Sequence, residues 1–484
     1  MHASIIVKIL GLLLMLFSAL SNFLPFAVSL KYSDGMAMVF VNSFLITFII
    51  GLVLFLPTAR SKTELSTKDG FLVVTLFWAV LGTAGCLPFL LSSALELSIT
   101  DAVFESLSGL TTTGATVISG LDSLPKSILF YRQQLQWLGG MGIIVLAMAL
   151  LPMLGIGGMQ LYRAESPGPV KDNKLVPRLT ETAKALWYIY LTLTIVCALA
   201  YWMVGMDLFD AISHSFTTVA IGGFSTHDQS MGFFDNSAVE LVAIVFMFIA
   251  GINFALHFTA WQRRGIKHYL NDPEFLFYSF ILCSVSVVTV LVLYFTATYS
   301  NVFDSTIKGV FQVVSVATTT GFTTADFSSW PLFLPYMLLY AAIIGACAGS
   351  TGGGMKAIRI LLIFKQGFRE VQRLIHPKAI IPIKLGRNPV PDRIIESVWG
   401  FFAVYVMAFI VMLLALLATG LDIITAFSAV GACINNLGPG LASVAETYGH
   451  LPNAAKWILC FAMLLGRLEV FTLLVLFTPM FWKR

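Results

Sequence analysis

The chain has 484 residues, of which 58% are apolar and 11% charged; 29 basic and 25 acidic side chains leave a net charge of +4, and the mean hydropathy is +0.87. Soluble domains carry about a quarter charged residues, so this composition, with 40 Phe and 9 Trp, excludes a soluble enzyme, a disordered chain and a secreted disulfide scaffold. The apolar runs are continuous rather than alternating, which selects membrane-crossing helices over a β-barrel.

Ten long apolar segments follow in chain order: 5–30, 36–56, 71–91, 135–154, 186–204, 239–261, 275–295, 331–368, 398–417 and 457–481. The first resembles a signal peptide in its apolar run but lacks a clear small-residue cleavage site, so it reads as a retained helix. The eighth is too long for one ordinary crossing and is interrupted by Gly and Ser in its middle. The six cysteines lie in or beside apolar runs without metal spacing and read as small core residues. With a cytoplasmic N-terminus, all basic residues except Lys31, Lys126, Arg132, Lys308, Lys456 and Arg467 fall on one side, so the excess of Lys and Arg places both termini in the cytoplasm. The net charge is too small to imply nucleic acid. The basic cluster from Lys365 to Arg393 reads as this topology signal, and it also suits a cytosolic partner.

Four shorter segments, 101–117, 210–226, 304–324 and 422–441, follow apolar segments three, five, seven and nine. Each opens at an Asp (Asp101, Asp210, Asp304, Asp422), expected to cap a short helix, and each ends at a Gly (Gly114, Gly223, Gly321, Gly438). The Asp-to-Gly spacings are 13, 13, 17 and 16 residues. Four such segments at similar intervals form an internal repeat. The predicted fold is therefore an all-α polytopic membrane protein with ten transmembrane helices. Two extra helices (1–69) precede four pseudo-symmetric helix–pore loop–helix repeats (70–184, 185–272, 273–392 and 393–484) around one central pore.

Non-helical backbone at membrane depth is tolerated where it lines an aqueous path. Four re-entrant loops on one axis offer a ring of carbonyls that replaces the hydration shell of a monovalent cation. The short helices would aim their partly negative C-termini at it. No ring of acids or bases accompanies the loops, which argues against divalent cations and anions.

The pattern resembles the Trk/Ktr/HKT superfamily of potassium transporters, and within it the bacterial TrkH/TrkG pore subunits. The resemblance rests on TTTGATV (111–117), AIGGFSTH (220–227), TTTGFTT (318–324), NNLGPGL (435–441), GCLPF (85–89), GGMGI (139–143), GIGGMQLYRAE (155–165), PGPVKD (167–172), CAGSTGGGMK (347–356) and GRLEVFTLL (466–474). It implies a fourfold potassium pathway in one chain of a bacterial inner membrane, a homodimer, and a cytosolic TrkA-like nucleotide-binding subunit as regulator. Potassium in the filter is the bound ion implied, with no covalent cofactor. Carried over, the filter strands are Thr112, Thr113 and Gly114; Ile221, Gly222 and Gly223; Thr319, Thr320 and Gly321; and Asn436, Leu437 and Gly438, acting through their carbonyls. The threonines also read as plain helix-terminal caps.

In the eighth segment, Gly345, Gly349, Ser350, Thr351, Gly352, Gly353 and Gly354, followed by Lys356, should unwind a helix near mid-membrane. Lys356 follows Met355, so this is no phosphate-binding loop. Two readings stand: close helix packing through small residues, or a flexible plug across the pore. Arg467 lies at mid-bilayer depth, where a charge needs water or a partner. It points either into the pore or at an acid on another helix; the resemblance implies the pore, with Arg467 repelling cations and latching the break. His214, His227 and His257 read as local hydrogen-bonding residues. Four parallel repeats with only one spanning helix expected to be broken suit a pore better than the alternative reading, a proton- or sodium-coupled potassium symporter, whose folds usually show inverted repeats and a pair of broken helices. No helix carries the periodic basic residues of a voltage sensor. No clustered acids, His or nucleophile suggest a membrane enzyme.

Overall fold

The computed structural model describes residues 3–61, 66–145, 179–386 and 388–483. The motifs at 155–165 and 167–172, and with them Arg163, Lys171, Lys174 and Arg178, lie outside the described residues, as do Lys62, Arg387 and Arg484.

Among the described residues, six helical stretches are long and apolar enough to cross a membrane: Ala3–Tyr32, Ala37–Thr58, Lys68–Leu91, Ala183–Met203, Pro273–Phe295 and Asp392–Leu417. The first two are α1 and α2. They cross closely at Gly11 and Gly51, where a methyl on either glycine would meet the other's carbonyl oxygen, the small-residue contact that lets membrane helices approach. The third is α3 (Thr67–Ala84) continued by α4 (Leu87–Leu91). The Ser66 hydroxyl and the Asp69 carboxylate cap the start of α3 reciprocally.

The sixth and tenth predicted segments are each bent pairs, α9 (Ser237–Ala250) with α10 (Phe254–Gln262) at 89°, and α17 (Asn453–Arg467) with α18 (Phe471–Leu474) and the turn after it at 110°. The fourth begins on α6 (Lys126–Val145), and its remainder lies outside the described residues. The eighth is divided into α13 (Leu334–Ile344) and α14 (Ala357–Ile375) by the break at 345–356. The expectation of a single broken helix is thus corrected: three are broken among the described residues. Asn253 caps α10 directly after Gly251 and Ile252, and Glu469 and Val470 take positive φ directly after α17. Such interruptions remove main-chain partners that the surroundings must replace.

The four shorter segments hold α5 (Ile99–Leu110), α8 (Leu208–Ala220), α12 (Val302–Ala317) and α16 (Ile423–Ile434). The spans between them are α7 (Leu179–Met203), α11 (Pro273–Phe295) and α15 (Asp392–Leu417). Asp422 caps its helix as expected, and at the other three the caps correct the sequence reading. Ser98, Asp207, Asn301 and Asp422 are the capping residues. Asp101, Asp210 and Asp304 instead sit three residues further on, where each donates its N–H to the cap. An acid in the first turn still complements the helix dipole. Counted from the true caps, three of the four segments reach their glycine after the same 16 residues, and the third after 20.

The only strands among the described residues, Lys384–Leu385 and Asn388–Pro389, pair antiparallel in the basic connection, a small departure from an all-α chain. All six cysteines are free; five are buried, and Cys283 is exposed on α11.

Candidate functional site

Each of the four short helices ends in the same way. The residue after its last turn, Thr112, Ile221, Thr319 or Asn436, has φ between 53° and 69°. The next residue, Thr113, Gly222, Thr320 or Leu437, donates its N–H five residues back, to Ser108, Thr217, Ser315 or Ala432, always at 2.8 Å. This is the Schellman ending, in which the left-handed residue is usually glycine. Here it is β-branched three times, which costs about 1–2 kcal/mol per position and marks a conformation imposed by the surroundings.

The glycine two residues later is left-handed as well, with φ of 81°, 80°, 83° and 95° at Gly114, Gly223, Gly321 and Gly438. The glycines also close a ring. A methyl on Gly114 would collide with the Gly222 carbonyl oxygen, one on Gly223 with that of Thr320, one on Gly321 with that of Leu437, and one on Gly438 with that of Thr113. Each loop therefore presses on the next, and the fourth returns to the first. Asn436 adds a side-chain bond across the closing joint, its Nδ2 donating to Thr113 Oγ1 at 2.9 Å.

Two carbonyls of these strands already accept hydrogen bonds, Gly222 from Gln136 Nε2 at 2.6 Å and Gly438 from the Tyr448 hydroxyl at 2.7 Å. Among the described residues nothing donates to the others. A carbonyl has two lone pairs, so the two engaged oxygens each keep one. Gln136 is a brace that sequence reading missed; its Oε1 also accepts the Phe224 N–H at 3.0 Å. Thr111 and Thr318 each donate to the carbonyl four residues back, Leu107 and Val314, at 2.7 Å. Thr111 and Thr113 share a hydroxyl bond of 2.7 Å, and Thr318 and Thr320 one of 2.8 Å.

Behind loops one and two lies a buried ion pair, Arg132 Nε to Glu105 Oε1 at 2.8 Å. Arg132 also donates to the Ser225 carbonyl and the Thr116 hydroxyl, both at 3.0 Å, and Glu105 accepts from the Val117 N–H at 2.9 Å. The pair thus ties the strand after Gly114 to that after Gly223. Two charges set among apolar residues were its only signal in the sequence.

The break at 345–356 lies against three of the loops. Thr351 Oγ1 donates to the Val219 carbonyl at 2.9 Å, Gly353 N–H to Thr319 Oγ1 at 2.7 Å, and Gly354 N–H to the Asn435 carbonyl at 3.1 Å. The kink between α9 and α10 supplies further partners: Cys347 N–H donates to the Gly251 carbonyl and Phe254 N–H to the Gly349 carbonyl, both at 3.0 Å. Two interrupted helices thus satisfy each other's main chain. Gly345, Gly349 and Gly354 have positive φ, as does Lys356. Lys356 Nζ donates back to the Gly352 carbonyl, and the Ser350 hydroxyl to that of Cys347.

Arg467, the last residue of α17, reaches the Thr351 carbonyl and the Gly139 carbonyl, each at 3.4 Å, and lies 5.3 Å from the Trp78 ring centroid. Among the described residues it pairs with no carboxylate, and its Nε has no hydrogen-bond partner. Glu469 instead pairs with Arg359, at the start of α14. The guanidinium therefore rests on the break.

Just after loop two, His227 sits between Asp122 at 2.5 Å and Asp210 at 3.1 Å. Burial alone would lower the imidazole pKa, but these two carboxylates outweigh it and raise it above 6.5. His214 bonds Ser225 Oγ at 3.0 Å, and His257 bonds the Tyr269 hydroxyl at 2.8 Å, local roles as expected.

The family profile described as "TrkH: Cation transport protein" matches residues 36–484. The chain is 57% identical to the Trk system potassium uptake protein TrkH of Halomonas elongata over 484 residues, covering 100% of both chains. It is 42% identical to the Trk system potassium uptake protein TrkG of Escherichia coli over 482 residues, covering 100% of this chain and 99% of that one. The crystal structure of the potassium transporter TrkH from Vibrio parahaemolyticus superposes with a TM-score of 0.92 at 54% identity, covering 100% of both chains. The resemblance read from the loops holds over the full length, and the chain belongs to the TrkH family of cation transport proteins.

Proposed function

We propose that this chain is the potassium-translocating subunit of a Trk-type uptake system, passing K+ through the four loops under control of the break below them. The observation that carries this reading is the closed ring at Gly114, Gly223, Gly321 and Gly438, with left-handed backbone two residues before each glycine. Alternating backbone handedness repeated in four loops suits a ring of carbonyls aimed at one axis, the device that replaces the water around a monovalent cation. The relatives, named as potassium uptake proteins of Trk systems, point to the same ion.

In this reading each repeat (70–184, 185–272, 273–392, 393–484) contributes one filter strand, and residues 1–69 lie outside the ring. Residues 345–354 close the ion path, and the positive charge of Arg467 raises the barrier to a cation while it is shut. The chain works as a homodimer in the bacterial inner membrane with both termini cytoplasmic. Its basic connection at 365–393 docks a TrkA-like nucleotide-binding subunit, whose binding energy shifts the break between two positions.

The test is flux through the purified protein in liposomes, with K+ and Na+ exchanged and the proton gradient set independently. Potassium flux that exceeds sodium flux and needs no proton gradient is the expected result. Saturating flux locked to proton movement would replace the pore by a symporter.

A further inference from the structure

One buried acid touches the break without belonging to any element of the reading above. Glu274 is in the first turn of α11 and is 8% exposed. Its Oε1 accepts the Ala348 N–H at 2.6 Å and the Ile358 N–H at 3.3 Å. Ala348 lies near the entry to the break and Ile358 in the first turn of α14 beyond it. Among the described residues no other carboxylate accepts a main-chain N–H of this segment.

The geometry has a conformational consequence. In a continuous helix the amides of residues 348 and 358 would lie about 15 Å apart, at 1.5 Å per residue. One oxygen can hold both only while the chain between them is folded back. The Ile358 N–H is also one of the donors that a helix start leaves unpaired, and a carboxylate there is favoured by the helix dipole. A buried carboxylate is costly without such donors, so the acid and the folded-back break support each other.

We infer that Glu274 is a positioning residue for the break: its carboxylate clamps entry to exit and holds the folded-back form. This rests on the reading of the break as the gate. Extension of the break toward helix separates the two amides and releases the clamp. Glu274 then sets the balance between shut and open without touching the ion.

The test uses the full-length chain in liposomes without a partner subunit, with Glu274→Ala and Glu274→Gln. The alanine variant removes the acceptor, whereas the amide keeps an oxygen at the same place. Resting potassium flux should rise several-fold in Glu274→Ala at an unchanged preference for K+ over Na+, and fall back close to the native value in Glu274→Gln. A merely misfolded protein loses flux instead. Hydrogen exchange gives a readout independent of conduction. The amides of Ala348 and Ile358 should exchange about 10- to 100-fold faster in Glu274→Ala, the range expected for losing a hydrogen bond to a charged group. Unchanged exchange at both amides, or an amide variant as leaky as the alanine one, overturns the inference. If the native protein conducts no potassium at all, the reading of the function fails, and the exchange measurement still decides the clamp.

Discussion

The four loops and the break below them are both irregular backbone in an apolar chain, yet they are held in opposite ways. Each loop is fixed by its own helix, through the same five-residue hydrogen bond in all four, and by a neighbour of the same kind. Beyond its internal Ser350–Cys347 and Lys356–Gly352 bonds, the break takes its partners from elsewhere: Val219, Thr319, Asn435, Gly251, Phe254, Glu274 and Arg467. Locally closed structure keeps its shape when its surroundings shift. Structure assembled from borrowed contacts moves whenever one lender moves. The first suits a geometry that must not vary and the second a segment with two positions.

The contrast can be broken first at the ring. Gly223→Ser places a side chain where φ is 80° and against the Thr320 carbonyl. The left-handed penalty alone is about 1–2 kcal/mol, and the clash passes to the third loop. Discrimination of K+ against Na+ should fall about tenfold, the equivalent of 1.4 kcal/mol, in protein that still purifies as folded. Unchanged ion preference would remove this loop from the filter.

Changes at the break should do the reverse. Gly353→Ala sets a methyl against the Asn435 carbonyl, and Arg467→Ala removes the group resting on Thr351. Each should raise resting potassium flux about fivefold, near 1 kcal/mol in the gating balance, with ion preference nearly constant. Folded variants with native or lower flux would return the segment to a packing role.

A smaller effect is expected from the basic connection at 365–393. Exchanging Lys365, Arg373 and Lys378 for Glu should weaken co-purification with the proposed nucleotide-binding subunit about threefold, as for partly screened charges, and leave ion preference alone. Undiminished capture would place the docking surface elsewhere.

The smallest effect belongs to His227. Its folded-state pKa is raised above 6.5 by Asp210 and Asp122. The stability it adds is therefore full below pH 6.5 and is lost as pH rises through the folded value. His227→Asn should lower the unfolding temperature by about 1–2 °C at pH 6 and by less at pH 9. An equal loss at both pH values would mean that the clasp is not ionic.

The sequence announces the ring more clearly than what supports it. The four glycines recur, three of them 16 residues from a capping residue and one 20, and such a repeat survives without coordinates. Asp101, Asp210 and Asp304 misled on the caps because acids favour both the cap and the first turn; Ser98 and Asn301 were the better signs. Thr112, Ile221 and Thr319 gave no warning of left-handed backbone, since β-branched residues ordinarily avoid it. The Gly-Ile-Asn of residues 251–253 was readable as a stop and restart, but an apolar run on both sides hid it. Gln136, Glu105 with Arg132, and Glu274 act across 27 to 88 residues of sequence, and no local pattern carries such pairings.

Because the ring is closed within one polypeptide, its four quarters need not be copies. Thr-Thr-Gly, Ile-Gly-Gly and Asn-Leu-Gly stand at equivalent places, whereas in an assembly of four identical subunits any change is written four times over. Here a substitution alters one wall only. The chain can therefore be tuned in quarter steps, two of them with a brace of their own, Gln136 at the second loop and Tyr448 at the fourth. The same closure makes damage asymmetric: the loop pressed by a changed glycine is the next one around, so a fault at Gly223 should surface first at Thr320.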